Sequence, residues 1–443
     1  MATSFVQAAE NAAHNVSTLS QAYTSSNTAG NCLVIAIGAW KSSVFTTPVV
    51  TDSQGNTWKR LIAGPQCRFS GVSQCFIFAA LNCAGGANTV TVTIPSSVTV
   101  DLDMAIQEYS GVSHVNALDQ SGGVANGSTA LSFSLTTQFA NEVLFCLAYD
   151  QSNSSSTFAS TAGWNARVQT SNPGAETLKT FDQLVSTTGV YSNTVTRTGA
   201  SSNGYSVLSV SLSDTAKSSP WIQSDRTDAV GTATISRVFP ANNGSGDLLI
   251  AAIGAFTTGT LGTISAVTDS LGNTWLPLAS SPLATTSGQS RAFLYYVASS
   301  LSGTNTVTVT ASASCDMTLE IFEYSSVIGA IAHASAATSG IGPFSSISSG
   351  AISTTGVGMM FSVCYDQSNQ LQGFTSTFAG NGWNQRENAT CSSRESMAAF
   401  DQIPGSGNYN QVITVLDGSL GLHCINVGFT GGSAPQPVVF VIT

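Results

Sequence analysis

Hydrophobic and polar residues alternate along most of this chain in short runs. Stretches rich in Val, Ile, Thr and Phe, such as NTVTVT at residues 88–93, are separated by clusters of Gly, Ser and Asn. Alternation with a period of two residues is typical of half-buried β-strands, and the intervening clusters are typical of turns. No segment keeps an apolar stripe of helical period over three turns. The pattern therefore predicts an all-β protein.

Two stretches of the sequence occur twice at the same separation. VTDSQGNTW at residues 50–58 returns as VTDSLGNTW at residues 267–275, and NTVTVT at residues 88–93 returns at residues 305–310. The offset is the same for both stretches (267 − 50 = 305 − 88) and is close to half the length of the chain. The chain is therefore predicted to be a tandem duplication.

The repeated DSxGNTW motif predicts a tight hairpin turn that leads into a core tryptophan. Asp and Ser side chains bond to the backbone two residues further on, Gly adopts the positive φ of such turns, and β-branched neighbours form the flanking strands. A Trp at the start of the return strand is large enough to anchor a sandwich core. A ligand role for the aspartates is the alternative, and the turn is favoured. The predicted turn and core residues are Asp52, Gly55, Trp58, Asp269, Gly272 and Trp275.

Each half of the chain is itself doubled, though more faintly. In the first half, an apolar run, a Trp and an NTVT strand recur in the same order at similar offsets (141 − 31, 164 − 58 and 193 − 88). About eight short strands per copy is the content of a two-sheet sandwich of immunoglobulin-like or jelly-roll type. The predicted sandwiches occupy residues 1–113, 114–217, 218–328 and 329–431, followed by a C-terminal extension at 432–443.

Two connecting segments carry further expectations. The polar run at residues 214–220 ends in Pro220, which stops strand pairing, so any flexing is expected between the two halves. The extension at 432–443 combines a Gly- and Pro-rich arm with the apolar residues 438–442. Such an orphan strand is expected to complete a local sheet or to add to the edge of a neighbouring subunit, and the neighbour is favoured.

Charged residues make up only 8% of the chain, against roughly 25% in ordinary soluble domains. The formal net charge is −10 with only 13 Lys and Arg, which argues against nucleic-acid binding because so few cations cannot neutralise a row of phosphates. The N-terminal stretch MATSFVQAAENAAHNVSTLSQAYTS contains no basic segment followed by an apolar core, so no classical signal peptide is predicted. No run reaches the ~18 apolar residues of a membrane span.

The nine cysteines are an odd number and fall in no metal-ligand spacing. Several lie inside apolar strand runs, where a thiol behaves as a small buried apolar group. Cys67 and Cys75 flank a predicted loop and are the only pair considered for a disulfide. This usage fits synthesis in a reducing compartment.

The second and fourth predicted sandwiches share a polar constellation that the first and third lack. YDQSN occurs at residues 149–153 and 365–369, and FDQ follows later in both sandwiches. If their carboxylates and amides meet, these oxygens suit calcium, or the hydroxyls of a sugar with Trp164 or Trp383 as a stacking platform. A structural network that satisfies buried backbone groups is the favoured alternative. The candidate residues are Asp150, Gln151, Asn153, Asp182, Asp366, Gln367, Asn369 and Asp401.

No catalytic residue is predicted. The EYS motif at residues 108–110 and 323–325 supplies one glutamate per copy, whereas glycoside hydrolysis needs two acids facing one cleft at ~5 to 10 Å. The histidines do not recur in the repeat, and no nucleophile elbow, P-loop or dinucleotide-binding motif occurs in a strand-turn-helix context. The chain is expected not to be an enzyme and, apart from the calcium alternative, to need no cofactor.

The DSxGNTW turn, the NTVTVT strand and the EYS motif together resemble tandem β-sandwich repeats of bacterial cell-surface proteins and phage virion proteins. The likeness covers most of residues 30–430, and its motifs are structural. It implies a sandwich fold and a location outside the cytoplasm, and it carries over no active-site residue.

Because neither an export signal nor a C-terminal anchor is predicted, the resemblance favours a non-enzymatic virion protein such as a decoration, fibre, collar or tail protein. Its expected partners are copies of itself or other virion or surface proteins. The alternative is a secreted or cell-surface adhesin that binds carbohydrate.

Overall fold

The computed structural model of the chain confirms the all-β fold class, because the residues it describes form antiparallel sheets and no α-helix. None of these residues belongs to a helix capable of crossing a membrane. The structure describes residues 2–41, 47–63, 72–95, 98–126, 129–150, 156–172, 176–199, 205–215, 220–259, 261–278, 290–325, 327–338, 344–353, 357–367, 374–376, 383–391, 395–403, 408–419 and 421–431.

Sandwich 1 consists of two antiparallel sheets. Its strands are β1 (Ser4–Val16), β2 (Thr18–Ala22), β3 (Cys32–Lys41), β4 (Val49–Asp52), β5 (Lys59–Ala63), β6 (Val72–Ala80), β7 (Thr89–Thr93) and β8 (Val100–Ser110). The order of the larger sheet is β1-β8-β3-β6-β5, and that of the smaller sheet is β2-β7-β4. The first strand lies beside the last and the second beside the seventh. This is the strand order of a jelly roll whose fifth strand has joined the larger sheet.

Sandwiches 2 and 4 repeat this order. Sandwich 2 contains β9 (Leu118–Asn126), β10 (Ala130–Thr137), β11 (Glu142–Asp150), β12 (Thr157–Ala159), β13 (Asn165–Gln169), β14 (Thr177–Val185), β15 (Gly189–Thr198) and β16 (Tyr205–Ser213). Sandwich 4 contains β23 (Val327–Thr338), β24 (Phe344–Ser353), β25 (Val357–Gln367), β26 (Phe374–Ser376), β27 (Asn384–Cys391), β28 (Glu395–Gln402), β29 (Asn408–Ser419) and β30 (Gly421–Gly431). Their larger sheets read β13-β14-β11-β16-β9 and β23-β30-β25-β28-β27, and their smaller sheets β10-β15-β12 and β24-β29-β26.

Sandwich 3 has the same plan with longer strands. It contains β17 (Trp221–Val238), β18 (Leu248–Phe256), β19 (Ile264–Asp269), β20 (Leu276–Pro277), β21 (Ser290–Val297) and β22 (Thr306–Tyr324). The strands β17 and β22 pair along almost their whole length, with register shifts near Ala229 and Thr232. Each of them therefore takes the place of two strands of the other sandwiches, because it bends at the register shifts and continues from one layer of the sandwich into the other.

The predicted DSxGNTW hairpin is wrong. The strand before the motif, β4, pairs with β7 of the smaller sheet, whereas the strand after it, β5, pairs with β6 of the larger sheet. In sandwich 3, β19 pairs with β22 and β20 with β21. The motif is a turn that carries the chain between the two sheets. Turn chemistry alone does not determine whether the flanking strands pair with each other.

Each sandwich has an interior core, and a further core is shared by all four. On β3, Leu33 and Ile35 face the interior of sandwich 1, while Val34 and Ala36 belong to the shared core. Because both faces of the larger sheet are buried at β3, this strand is apolar without alternation. The shared core also contains Phe145 of sandwich 2, Ile250 of sandwich 3 and Phe361 of sandwich 4.

Buried charges join the two halves of the chain, where the sequence predicts flexing. Arg60 of β5 forms an ion pair with Glu387 of β27 and lies 3.4 Å from Asp225 of β17. Arg226 Nη2 donates a hydrogen bond to Gln74 Oε1 at 3.1 Å. Removing one partner of a buried ion pair costs about 3–5 kcal/mol, so these contacts oppose hinge motion between the halves.

Candidate functional site

Asp52 is the centre of the DSxGNTW turn. Its Oδ2 accepts hydrogen bonds from Asn56 Nδ2 at 2.7 Å, Trp58 Nε1 at 3.1 Å and Asn88 Nδ2 at 3.2 Å. Burial alone raises the pKa of Asp52, but these hydrogen bonds outweigh it and hold the pKa below its ordinary value. Asp269 has the corresponding contacts in sandwich 3. The carboxylates of both aspartates therefore accept the hydrogen bonds that hold the turn in its conformation.

The glycines and tryptophans of the two turns have the conformations that the motif requires. Gly55 and Gly272 have φ values of 71° and 79°, a region that a residue with a side chain adopts only with strain. Trp58 packs against the interior core of sandwich 1, and Trp275 is buried in that of sandwich 3. Each tryptophan is therefore held by the packing of its ring in the core and by the hydrogen bond from its indole nitrogen to the aspartate of the turn.

Asp150 lies at the end of β11 and is fully buried. Its Oδ1 lies 3.1 Å from Nη1 of Arg197, which comes from β15 of the opposite sheet, so this ion pair ties the two layers of sandwich 2 together. Asp366 has the corresponding place on β25 and is also fully buried. Gln367 is the last residue of β25, and Gln151, Asn153 and Asn369 lie outside the described residues.

Asp182 of β14 connects sandwich 2 to sandwich 1. Its Oδ2 accepts hydrogen bonds from Tyr109 OH of β8 at 2.8 Å and from Arg167 Nε of β13 at 2.7 Å. Burial, followed by the charge of Asp182, raises the pKa of Tyr109 well above its ordinary value. The phenol therefore remains a hydrogen-bond donor. These three residues are termed the 1–2 joint.

The same arrangement connects sandwich 3 to sandwich 4. Asp401 of β28 accepts a hydrogen bond from Tyr324 OH of β22 at 3.1 Å. Arg386 of β27 binds the carboxylate through two nitrogens, with Nε at 2.6 Å and Nη2 at 2.9 Å. These three residues are termed the 3–4 joint. Two-nitrogen contacts of this kind fix the orientation of the guanidinium as well as its position.

The structure does not bring Asp150 and Asp182 together. In the pairing of β11 with β14, Asp182 lies opposite Phe145 and Asp150 lies opposite Thr177. Asp150 lies five positions after Phe145, which corresponds to roughly 17 Å along a strand and to opposite faces of the sheet. The same offset separates the two aspartates of sandwich 4. The two carboxylates of each sandwich therefore form no common ligand site.

The predicted sugar platforms and metal ligands have other positions. Trp164 and Trp383 are only 7% and 6% exposed and belong to interior cores, so neither presents a ring face to a ligand. In the described ranges, no group of three or more His, Cys, Asp or Glu side chains is placed to hold a metal ion. Cys75 is buried on β6, and Cys67 lies outside the described residues.

Glu108 of the first EYS motif is a fully hydrogen-bonded carboxylate. It accepts hydrogen bonds from Gln7 Nε2 at 2.6 Å, Asn27 Nδ2 at 2.8 Å, Thr28 N at 2.9 Å and Asn31 Nδ2 at 2.6 Å. Burial raises the pKa of Glu108, but these donors outweigh burial and hold it below its ordinary value. The residue fastens the loop between β2 and β3 to the end of β8.

In sandwich 3, a carboxylic acid replaces one of the side chains that donate to this glutamate in sandwich 1. Asp247 stands where sandwich 1 has Asn31, since Asp247 directly precedes β18 as Asn31 directly precedes β3. It therefore faces Glu323, the counterpart of Glu108, and the two carboxyl groups share a hydrogen bond. Burial, followed by Glu323, raises the pKa of Asp247 to about 7. Asp247 therefore keeps its proton up to about neutral pH and can donate it in a hydrogen bond to Glu323.

Sandwich 2 contributes to two more pairs of this kind. Burial, followed by the charge of Asp119, raises the pKa of Glu142 to about 9. Burial, followed by the charge of Asp101, raises the pKa of Glu176 to about 8. Together with Asp247 and Glu323 these are termed the carboxyl pairs. A buried acid that stays protonated can donate a hydrogen bond to its neighbour, which an ionised acid cannot do.

Sequence reasoning missed the two joints, although a signal was present. Arg167 precedes Asp182 by the same spacing as Arg386 precedes Asp401 (182 − 167 = 401 − 386). The corresponding positions of sandwiches 1 and 3, three residues after the repeated Trp, are leucines. An arginine that accompanies an aspartate in only two of four repeats indicates an ion pair particular to those two. Strand pattern alone does not show that a tyrosine of the preceding sandwich completes it.

No protein-family model and no curated protein matches the chain. Among solved structures, a similarity is found to the crystal structure of dimeric latent PorU from Porphyromonas gingivalis, at 11% identity and a TM-score of 0.20. It covers 71% of this chain and 34% of that chain, about a third of its length. A TM-score this low does not establish that the two proteins share a fold. The class of the protein follows from its own strand order: it is a tandem jelly-roll sandwich protein.

Proposed function

We propose that the protein is a non-enzymatic structural building block of an extracellular assembly. The observation that carries the proposal is the shared core, to which all four sandwiches contribute residues. Interfaces that resemble a domain core are typical of permanent contacts. A chain of this kind places its outer surfaces at fixed distances from one another, as an assembly requires of its components.

Aromatic contacts across the shared core support the same conclusion. The rings of Phe322 and Phe361 lie edge to face with centroids 4.9 Å apart, and those of Tyr296 and Phe429 lie 5.7 Å apart. Each pair joins sandwich 3 to sandwich 4. Such pairs contribute about 0.5–1.5 kcal/mol beyond the apolar area that they bury. The two sandwiches are therefore held by packing as well as by the 3–4 joint.

In sandwiches 1, 2 and 3, exposed hydroxyl groups pair across neighbouring strands of the layer opposite the larger sheet. Cross-strand hydroxyl pairs lie 2.8–2.9 Å apart in three sandwiches, at Ser20 and Thr91, Ser132 and Thr194, and Ser236 and Thr308. Hydroxyl groups donate and accept hydrogen bonds without carrying charge, so these pairs add no electrostatic repulsion between neighbouring copies. This favours repeated side-by-side contacts with copies of the same chain or with other virion or surface proteins.

Within this class we propose a phage virion component, such as a decoration, fibre, collar or tail protein. The narrower proposal rests on the resemblance of the DSxGNTW, NTVTVT and EYS motifs to sandwich repeats of virion proteins. The carbohydrate-binding alternative has less support, because Trp164 and Trp383 are buried and Asp150 is paired inside its sandwich.

The test is the mass and shape of the purified protein in solution, measured by light scattering and negative-stain microscopy over a concentration series. We expect defined oligomers or fibres from the full chain and monomers from a variant lacking residues 432–443. A matched variant that keeps the length of this extension but replaces the apolar residues 438–442 with serine separates the apolar strand from the arm.

Antibodies against the protein then distinguish the locations. Regular labelling of virions is the expected result. Labelling of cell surfaces alone would reject the virion proposal and keep the building-block class. A full chain that stays monomeric at every concentration, and that labels neither particles nor cell surfaces, would reject both.

A further inference from the structure

A cavity of about 70 Å³ lies where the sandwiches meet. Its apolar wall includes Leu61 of β5, Leu118 of β9 and Leu212 of β16. Its polar wall contains Lys59 of β5, Trp221 of β17 and Arg386 of β27, with Asn116 from the connection between β8 and β9. Every sandwich thus supplies part of the cavity.

Two cations lie over one indole ring in this cavity. Lys59 Nζ is 3.9 Å from the ring centroid of Trp221, and Arg386 Cζ is 4.2 Å from the same centroid. Arg386 uses Nε and Nη2 to bind Asp401, while its Nη1 is buried and has no hydrogen-bond partner among the described residues. Trp221 orients both cations, and Arg386 keeps one donor unused.

Lys59 has no ion-pair partner in the described part of the chain, and the charge of Asp401 acts on it only from beyond ion-pair distance. Its ammonium group makes one long hydrogen bond, to Trp221 O at 3.5 Å, and no carboxylate oxygen lies within ion-pair distance. Burial, followed by the charge of Arg386, lowers the pKa of Lys59 to about 7. A partly buried cation without an anion in contact is unfavourable, and an anion at this place would stabilise it.

The sandwich repeat does not require this arrangement. Leu276 stands in sandwich 3 where sandwich 1 has Lys59, since each directly follows the tryptophan of the DSxGNTW motif. Phe5 lies opposite Tyr109 on β1 as Trp221 lies opposite Tyr324 on β17. The repeat thus accommodates a leucine and a phenylalanine at these positions. The lysine and the indole are particular to the central cavity.

We propose that this cavity binds a short-chain carboxylate. The carboxylate lies between Lys59 Nζ and Arg386 Nη1, and the aliphatic chain contacts the leucines of the apolar wall. Hydrogen bonds from charged donors to a carboxylate are among the stronger ones in proteins. A cavity of about 150 Å³ accommodates benzene, so one half that size suits an acid of about three carbons. Inorganic phosphate has no apolar part to fill the leucine wall.

The test is a titration of the full-length protein with sodium propionate, followed by tryptophan fluorescence at constant ionic strength. We expect saturable binding with a dissociation constant on the order of 1 mM. Propionamide, which has nearly the same shape and no charge, should bind at least about tenfold more weakly, the factor expected for losing one hydrogen bond to a charged group.

Three variants locate the site. Lys59→Leu, which installs the residue of sandwich 3, should weaken propionate binding by at least about tenfold. Lys41→Leu changes the net charge equally at the end of β3, outside the cavity, and should leave binding unchanged. Trp221→Phe should remove most of the fluorescence response.

The proposal would be overturned by any of three results. These are no saturation up to about a hundredfold above the expected constant, equal binding of propionate and propionamide, or unchanged binding by Lys59→Leu. The comparison of propionate with propionamide needs no variant, so it remains decisive if Lys59→Leu fails to fold.

Discussion

Replacing Gly38 with alanine adds a methyl group that overlaps the ring of Tyr149 from the next sandwich. An added Cβ would lie 2.2 Å from Tyr149 Cδ2 and 2.5 Å from Cε2, distances that real carbon atoms do not reach. Tyr149 is only 1% exposed and belongs to the shared core, so its ring has little space to move. Gly254 and Tyr365 have the same relation between sandwiches 3 and 4, with a shortest distance of 2.2 Å.

Two effects of the Gly38→Ala change oppose each other. Replacing glycine at a position with ordinary φ stabilises a protein by about 0.4–1 kcal/mol, because it restricts the unfolded chain. Overpacking a close-packed core costs about 1–3 kcal/mol, and more where the neighbour cannot shift. Because the clash is with an enclosed ring, overpacking dominates. We expect the variant to be less stable by about 1–2 kcal/mol.

Urea denaturation measures this difference and a second substitution tests its cause. Tyr149→Leu removes the ring, so the double variant should recover part of the loss that Gly38→Ala shows alone, giving a favourable coupling energy. Gly122→Ala on β9 is the matched control, because its added Cβ would meet only Ser209 Oγ, at 4.0 Å. If Gly38→Ala is as stable as Gly122→Ala, the packing argument is refuted.

Two further predictions concern buried polar groups. Tyr109→Phe removes one hydrogen-bond donor from Asp182 and should lower the free energy of unfolding by about 1–3 kcal/mol. The control is Tyr191→Phe, which removes a hydroxyl at the surface and should change the free energy of unfolding little. Equal effects of the two substitutions would contradict the role of the 1–2 joint. Because the pKa of Glu142 is raised to about 9 by burial and then by Asp119, the native state holds a proton that the unfolded chain releases above its ordinary pKa of 4.5. This contribution is fully present below that value and is lost as the pH rises to about 9. The free energy of unfolding of wild type, from urea midpoints, should therefore fall relative to that of Glu142→Gln, whose amide does not titrate, over that window.

Strand pattern predicted much of the fold because burial leaves a direct trace in the sequence. In β7, residues Thr89–Thr93, the valines are buried and the threonines are more exposed, and the sequence alternates accordingly. In β3, residues Cys32–Lys41, almost every position is buried and the sequence is apolar throughout. The composition of β3 is typical of a strand that is covered on both faces, although the sequence alone does not show what covers it.

The candidate site was harder to predict, because it depends on pairing between distant strands. The YDQSN and FDQ motifs fall in the same sandwich, and the pattern did indicate buried polar groups. The register of β11 against β14 then places Asp150 and Asp182 on opposite faces. Asp182 faces another sandwich, whose Tyr109 completes its contacts. Neither the register nor the neighbour is encoded in the local spacing of residues.

The pairing of the first strand of each sandwich with its last has a consequence for synthesis. In sandwich 1, Ser4 pairs with Ser110, so β1 has no partner in its sheet until roughly a hundred further residues have been made. At 5–20 residues per second this takes roughly 5–20 s. The apolar outer face of the finished sheet then waits about as long again for sandwich 2 to cover it. During translation the nascent chain therefore exposes an apolar surface for many seconds, and such a surface is prone to aggregation until the next sandwich covers it.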